Sequence, residues 1–314
     1  MKSLDIQVSV CIVTYNQEKY IAECLDSLLS QKTDFKFEII VGEDCSTDGT
    51  RAVIQKYIDQ YPELIVPLFY EANVGPVENL KRVYKKARGR YIAHMDGDDL
   101  ALPNKLQKQF SILEMNPDCS ICVHNMNAID GKSQKMNRAF SLFDEKKYSL
   151  LDMYLINPFF IHSSKMFVNK IDDYIDQLNE NALDIEVHIE QAKQGDIYFI
   201  GECLGVYRQF VGVTYEEKLI NPLIPERIQD VYYNFPSEKF NVKDISKVKK
   251  KYAYILLQYA NHYILHGDLR KSKFFLKKSF YYNFSFLSFL FCLVFIWPSF
   301  FRKILMIRSQ RKWV

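Results

Sequence analysis

The sequence predicts an α/β fold, a mostly parallel sheet with helices on both faces, followed by a C-terminal helical segment. Three observations carry this. Apolar runs of strand length alternate with amphipathic helical stretches up to the acidic cluster at Asp96–Asp99. Several runs are continuous and β-branched, as strands buried on both faces are. Beyond residue 221 the strand pattern stops and helical periodicity takes over.

In order, residues 8–14 (VSVCIVT) form the first strand, broken by Tyr15-Asn16-Gln17. A helix follows with Ile21, Cys24, Leu25, Leu28 and Leu29 on one face. Residues 37–41 (FEIIV) are the second strand, ending at Gly42-Glu43-Asp44, after which Thr47 or Asp48 caps a helix carrying Val53, Ile54, Tyr57 and Ile58. Residues 64–70 make a third strand, 77–87 a helix closed by Gly89, and 91–95 a fourth strand. A helix over 104–115 and a strand over 120–125 come next. Residues 131–147 lack a period and read as a loop. A helix is expected over 182–193, with short strands at 197–200 and 204–207. Residues 248–266 and 269–282 read as a helix pair joined at Gly267-Asp268, the second with Lys and Arg on one side and Phe274, Phe275, Leu276 and Phe280 on the other.

At 314 residues, 48% of them apolar, the chain can bury a large core. Seven scattered cysteines, an odd number, argue against a disulfide framework and for a reducing compartment. Cys119-x-x-Cys122 has no second pair and sits in strand-like sequence, so it reads as structure. Residues 1–7 are short and polar, and no secretion signal is expected. The net charge of +3 hides an asymmetry: ten basic and no acidic residues follow Asp268, so the preceding chain carries −7. That excludes a uniformly basic nucleic-acid binder and points the tail toward an anionic surface.

The most informative stretch is Asp96-Gly97-Asp98-Asp99, three carboxylates closing an apolar strand. Like charges this close repel. A hard divalent cation such as Mg²⁺ reverses that balance and brings substrate phosphates with it. In parallel α/β sheets, ligands sit outside the carboxyl ends of the strands. Here three such ends carry Tyr15-Asn16, Glu43-Asp44 and this cluster.

These residues resemble family 2 glycosyltransferases of the GT-A fold. The resemblance covers roughly residues 8–215 and rests on VSVCIVTYNQEKYIAECLDSLLSQ, EIIVGEDCSTDGT, ANVGPVENLKRVYKKARGRYIAHMDGDD and ALDIEVHIEQAKQGDIYFIGECLGVYR, in that order. It implies that Thr14 and Tyr15 meet the nucleotide, Tyr15 stacking on the base, and that Asp44 accepts from the base N–H. Asn73, Gly75 and Asn79 are further candidates for the nucleotide pocket, with turn chemistry an equal reading for Gly75. Asp96 and Asp98 match the Asp-x-Asp pair, with Asp98 on a Mg²⁺ or Mn²⁺ ion and Asp96 on the ribose or the ion. Asp99 reads as a cap or as support for those ligands. Asp184 lies where the family places its catalytic base; Leu183-Asp184-Ile185 departs from the usual neighbours, which leaves Glu186 as a second candidate. A base with a pKa near working pH is expected to be partly buried. Asp184 and His188 read as a hydrogen-bonded pair on one helix, and Arg208 as a contact of the diphosphate or of a flap. The implied reaction is one inverting displacement from a nucleotide-sugar, a UDP-sugar by preference, onto an acceptor hydroxyl.

The expected organisation is a catalytic domain over 1–217, a helical extension over 218–283 and a membrane-associating tail over 284–314. Residues 284–301 carry no charge between basic flanks. The favoured reading is a re-entrant or interfacial segment holding the enzyme, from the cytoplasm, at the inner face of the cell membrane. Expected partners are a nucleotide-sugar, a glycan or polyprenyl-diphosphate-linked acceptor of surface polysaccharide synthesis, and the membrane surface; no nucleic acid is expected. Competing readings are a nucleotidyltransferase, which would need a Gly- and Arg/Lys-rich loop that Tyr15-Asn16-Gln17 is not, and a non-catalytic sensor or scaffold.

Overall fold

The computed structural model describes residues 6–130, 132, 135–139 (backbone), 143–156, 159–209, 211, 221 and 223–283. Two compact units divide the chain, Met1–Glu217 and Lys218–Val314. The tail expected at 284–314 lies outside the described residues, as does most of the stretch joining the units.

The first unit is built on β1 (Ile6–Thr14), β2 (Lys36–Glu43), β3 (Ile65–Phe69) and β4 (Tyr91–Asp96), parallel in the order β3-β2-β1-β4. Between them run α1 (Ile21–Leu29), α2 (Thr50–Gln60) and α3 (Pro76–Lys86). The apolar runs place Val8, Val10, Ile12, Ile39, Val41, Ala93 and Met95 in one core with Leu25 and Leu28 of α1. Each of these Val, Ile, Leu and Met side chains, taken fully out of water, contributes about 1.5–3 kcal/mol. On the other side α3 lies tight on β2: a Cβ at Gly42 would stand 2.0 Å from Asn79 Oδ1 and 2.4 Å from Val83 Cγ2.

Past β4 the chain adds β5 (Leu100–Ala101), α4 (Lys105–Met115), β6 (Cys119–Ile129), β7 (Lys135–Ala139), β8 (Lys146–Tyr148), α5 (Leu150–Leu155), β9 (Met166–Val168), α6 (Asp184–Ala192) and β10 (Asp196–Arg208). The sheet continues β4-β9-β6-β10-β5, with β7 on β6 and β8 on β10. Short β9 runs antiparallel to both β4 and β6, pairing Ala93 with Met166 and Ile121 with Phe167. Cys119 and Cys122 are buried free thiols on β6.

Two local expectations are corrected. The stretch read as a loop contains β7 and β8, short flanking strands whose pairing comes from β6 and β10 and not from a pattern of their own. The two short strands after α6 are one, β10, with register shifts between Ile200 and Cys203 and between Cys203 and Gly205. Gly201-Glu202 bulges out to solvent there, which breaks the apolar pattern without ending the strand.

The second unit contains α7 (Leu223–Tyr233), α8 (Val242–Leu265) and α9 (Leu269–Tyr282). Asn241 caps α8 by accepting from Asp244 N at 3.0 Å, and Asp268 caps α9 by accepting from Lys271 N at 2.9 Å. Gly267, at φ +84, makes the left-handed turn between them. Phe275 and Leu276 are buried, and Phe275 stacks on Tyr263 of α8. Phe274, expected beside them, faces outward at 52% exposure with Lys278 Nζ 4.5 Å from its ring centre. Three consecutive helical residues fan over about 200°, wider than one packed face, so one of residues 274–276 turns to solvent.

Candidate active site

Strand register brings the three polar ends together. Thr14 pairs with Glu43 across β1 and β2, and Val13 with Asp96 across β1 and β4. Thr14 is buried and donates to Gln17 Oε1 at 2.7 Å. Gly97 sits against this corner, where a Cβ would come within 2.5 Å of Gln17 Oε1 and 2.9 Å of Thr14. Tyr15 is half-buried at the end of β1.

Asp44 is 2% exposed, and both carboxylate oxygens are engaged: Oδ1 accepts from Val74 N at 2.7 Å and Oδ2 from Gly75 N at 3.0 Å. Asn73 donates to Asp44 O at 3.0 Å and accepts from Gly75 N, whose residue takes the positive φ of +86. Asp44, Asn73 and Gly75 thus form one clamp over the end of β2. Asn79 is not part of it. Its amide donates to Gly42 O at 2.9 Å and accepts from Tyr70 OH at 3.2 Å, inside the α3–β2 contact. These bonds tie its side chain to the packing of α3 on β2.

The acidic cluster differentiates its members. Asp96 Oδ1 faces His94 Nε2 at 3.2 Å, Oδ2 accepts from Ser163 Oγ at 2.9 Å, and the same Oγ accepts from Asp96 N at 2.9 Å. Burial pushes this carboxyl up, but the bonds from His94 and Ser163 outweigh it and hold Asp96 below the usual range. Asp98, half-buried, is pushed up to about 6 by burial and then by Asp96's charge. Asp99 is 1% exposed, and burial and both neighbours raise it strongly. Its Oδ1 accepts from Arg208 N at 2.9 Å, in keeping with a supporting part, while its Oδ2 is buried without a partner among the described residues.

Arg208 closes the cluster from behind. Nε donates to Asp98 O at 3.1 Å, Nη2 to Glu23 Oε2 at 2.8 Å, and the guanidinium lies over the Tyr20 ring. This places it against the protein's own acidic loop.

Asp184 opens α6. Its side chain is 71% exposed, against the expectation of partial burial, because the first helical residue lies on the rim and not on the packed face. The carboxyl is nevertheless shifted upward, by the protein crowded around it and by Asp96's charge, with Lys165 opposing; water on the exposed side screens all three. Glu186 turns back to accept from Leu183 N at 2.8 Å, a capping bond. The expected Asp184–His188 bond does not form: His188 Nε2 meets His162 Nδ1 at 2.9 Å, and Asp184 Oδ1 lies 3.6 Å from that same Nδ1.

Sequence reasoning missed most of the layer beneath: His94, Lys105, His162, Ser163 and Lys165, all buried like His188. One signal was available, a lysine inside the apolar run SKMFV.

The donor chemistry fits a divalent cation. Asp96 and Asp98 offer hard carboxylate oxygens, and a cation beside them relieves the repulsion that raises Asp98. Among the described residues no three His, Cys, Asp or Glu side chains form a metal-binding group. A divalent cation held at Asp96 and Asp98 would need substrate phosphate and water to complete its sphere, as Mg²⁺ commonly does.

A profile described as "Glycosyl transferase family 2" matches residues 9–175, more than half the chain. The chain belongs to that family. It is 33% identical over 205 residues to an uncharacterized protein of Mycobacterium tuberculosis, covering 64% of this chain and 58% of the relative. The putative glycosyltransferase EpsE of Bacillus subtilis is 38% identical over 108 residues (34% of this chain, 38% of the relative). The putative teichuronic acid biosynthesis glycosyltransferase TuaG of the same organism is 36% identical over 126 residues (40% and 49%). These matches thus span well under two thirds of the relatives' own lengths. Among solved structures, S. aureus TarS with UDP-GlcNAc superposes at TM-score 0.56 with 18% identity, covering 88% of this chain and 91% of that one. The mannosyltransferase PcManGT of Pyrobaculum calidifontis, in complex with GDP-Man and Mn²⁺, gives 0.54 at 15% identity, covering 98% and 87%. The shared architecture is the GT-A fold.

Proposed function

We propose that this family 2 member is a metal-dependent, inverting glycosyltransferase that moves a sugar from a nucleotide-sugar, a UDP-sugar by preference, to a hydroxyl of a glycan or lipid-linked acceptor in surface polysaccharide synthesis. The observation that carries the proposal is the chain of contacts joining the end of β4 to the start of α6: Asp96 Oδ1 lies 3.2 Å from His94 Nε2, the His94 and His162 ring centres are 3.9 Å apart, and Asp184 Oδ1 lies 3.6 Å from His162 Nδ1.

In this reading Tyr15 stacks on the base, with Thr14 beside it, and the Asp44–Asn73–Gly75 clamp frames the nucleotide. Asp98, with Asp96 beside it on ribose or ion, would hold Mg²⁺ or Mn²⁺. When bound, the ion neutralises charge developing on the departing diphosphate. Asp184 accepts the proton of the acceptor hydroxyl as its oxygen attacks the anomeric carbon opposite the leaving diphosphate, which inverts that centre. An exposed base suits this task, since the acceptor arrives from solvent and covers it. Glu186, already capping α6, is the weaker candidate.

The domain reading stays as 1–217 catalytic, 218–283 helical extension and 284–314 membrane-associating tail. On α9, Arg270, Lys273, Phe274, Lys277 and Tyr281 are exposed along one side, and the helix has no acidic residue. A basic, aromatic stripe of this kind complements an anionic leaflet. No described helix is long and apolar enough to cross a membrane. We place the enzyme peripherally on the inner face of the cell membrane.

The test is a panel of nucleotide-sugars with Mg²⁺, Mn²⁺ or chelator, scored for binding, hydrolysis and transfer. Wild type should respond to at least one UDP-sugar in the presence of metal, and Asp184→Asn should bind it without transfer. A full panel with no metal-dependent response sinks the proposal.

A further inference from the structure

Two lysines of the first unit are fully buried, and among the described residues neither forms an ion pair. Lysine is almost never buried this way without a charged partner, because removing an ammonium from water is so unfavourable. Lys105 Nζ meets Ser163 O at 2.7 Å and Met95 Sδ at 2.8 Å. Lys165 Nζ meets Gln191 Oε1 at 3.3 Å and His162 Nδ1 at 3.4 Å, and lies 5.3 Å and 5.9 Å from the ring centres of Phe167 and Tyr84. None of these partners carries a negative charge. For Lys165 a carboxylate stands across His162: Lys165 Nζ at 3.4 Å and Asp184 Oδ1 at 3.6 Å approach the same Nδ1.

Its position is fixed from both halves of the site. Lys165 O accepts from His94 N at 3.1 Å, tying the residue to β4 two positions before Asp96, and the next residue enters β9. Through Gln191 the side chain reaches α6, the helix that Asp184 opens. Gln191 is itself held by Tyr174 OH at 3.0 Å.

We propose that Lys165 is a positioning residue for the transfer: its buried ammonium, across His162 Nδ1 from Asp184, keeps that carboxylate ready to take the acceptor's proton. The proposal rests on the function assigned above. The titratable groups facing Lys165 are His94 and Asp96 from β4, Tyr84 from α3, His162 from the turn before β9, and Asp184 and His188 from α6. Burial drives His162 and His188 well below the usual imidazole range, so these two rings bring no positive charge to Asp184. Burial also lowers Lys165, to about 7, against the pull of Asp184 and Asp96. Lys165 is therefore the group that brings positive charge to this face of Asp184, and it does so up to near-neutral pH.

The test uses the full chain in mild detergent, with Lys165→Met, Lys165→Arg and Asp184→Asn. Lys165→Met should move the acid limb of kcat/KM upward by about one pH unit, a tenfold loss on that limb, while Lys165→Arg keeps it in place. The same upward shift should appear in the Asp184 carboxyl titration, read by NMR of aspartate-labelled protein without donor or metal and assigned by its loss in Asp184→Asn. Coupling is reciprocal, so Asp184→Asn must lower the Lys165 titration by the same amount in lysine-labelled protein. That arm holds even if Lys165→Met fails to fold, because it changes an exposed side chain. Turnover with the acid limb and both titrations unmoved overturns the role of Lys165. Absence of any turnover by wild type overturns the functional reading instead, and the two titrations still report on the pairing.

Discussion

The Asp44 clamp gives a prediction whose size follows from two hydrogen bonds. In Asp44→Asn one oxygen remains an acceptor, while the other becomes an NH₂ group facing a backbone N–H. One charge-assisted bond, to Val74 N at 2.7 Å or Gly75 N at 3.0 Å, is lost, and a donor is set against a donor. Bonds to charged groups are worth about 1.5–3 kcal/mol net, so the loop should lose about 2–3 kcal/mol of local stability. Native-state hydrogen exchange at Val74 and Gly75 should then accelerate roughly 30- to 150-fold at neutral pH, with exchange in β1 unchanged. Nucleotide binding, measured calorimetrically on the same sample, should weaken by about tenfold or more, since Asn cannot reproduce the carboxylate toward a base N–H. Exchange at both amides within threefold of wild type would refute the reasoning about the clamp, whatever happened to binding.

The remaining predictions need less apparatus. Gly42→Ala puts a methyl group into Asn79 and Val83 and should destabilise the first unit by about 1–3 kcal/mol in urea unfolding; a neutral result would mean that α3 does not lie as tightly on β2. Glu38 is 2% exposed and bonded by Ser9 and Arg88, which hold its carboxyl below the usual range despite burial. Its stabilising contribution is therefore present above the unfolded carboxyl pKa and lost as pH falls through the lower folded value, so the stability gap between wild type and Glu38→Gln should narrow between neutral pH and pH ~3. Asp184 has the opposite sign. With its carboxyl raised in the folded state, ionisation opposes folding, and Asp184→Asn should unfold no earlier than wild type at pH 7 while losing transfer. Wild-type kcat/KM should fall as pH drops through a value above the ordinary carboxylate range; an acid limb near 4 would argue for another base.

What was legible in the sequence was the part encoded in local runs. β1, β2 and β4 are continuous apolar strands, their ends carry the polar turns, and parallel topology alone then gathers Thr14, Asp44 and Asp96 at one edge. Asp184 was legible through family resemblance; periodicity placed it only near the start of a helix. Its exposure was not legible, because burial at a first helical position depends on what packs beyond it. The pairing of His162 with His188 in place of Asp184–His188 is a tertiary fact: i, i+4 spacing offered a partner, and a residue from the turn before β9 offered a better one. Asn79 looked available because it follows the Gly75 turn, yet its position on α3 points it at Gly42. β7 and β8 take their structure from neighbours and so left no signature of their own.

Three-residue β9 has a bearing on how the protein is made. Until Met166–Val168 emerges, β4 and β6 each present an unpaired backbone edge, and the strand that ends in Asp96 lacks Ser163 to satisfy its last N–H. On the ribosome the N-terminal strands are complete long before that closure, so a nascent chain stalled short of residue 163 carries open β edges and an acidic cluster without its Ser163 partner. Long-range pairing of this kind slows folding, because the loop must close before the contacts reward it. Nascent chains arrested on either side of β9 should therefore differ sharply in protease resistance, with protection of β4 appearing only in the longer one.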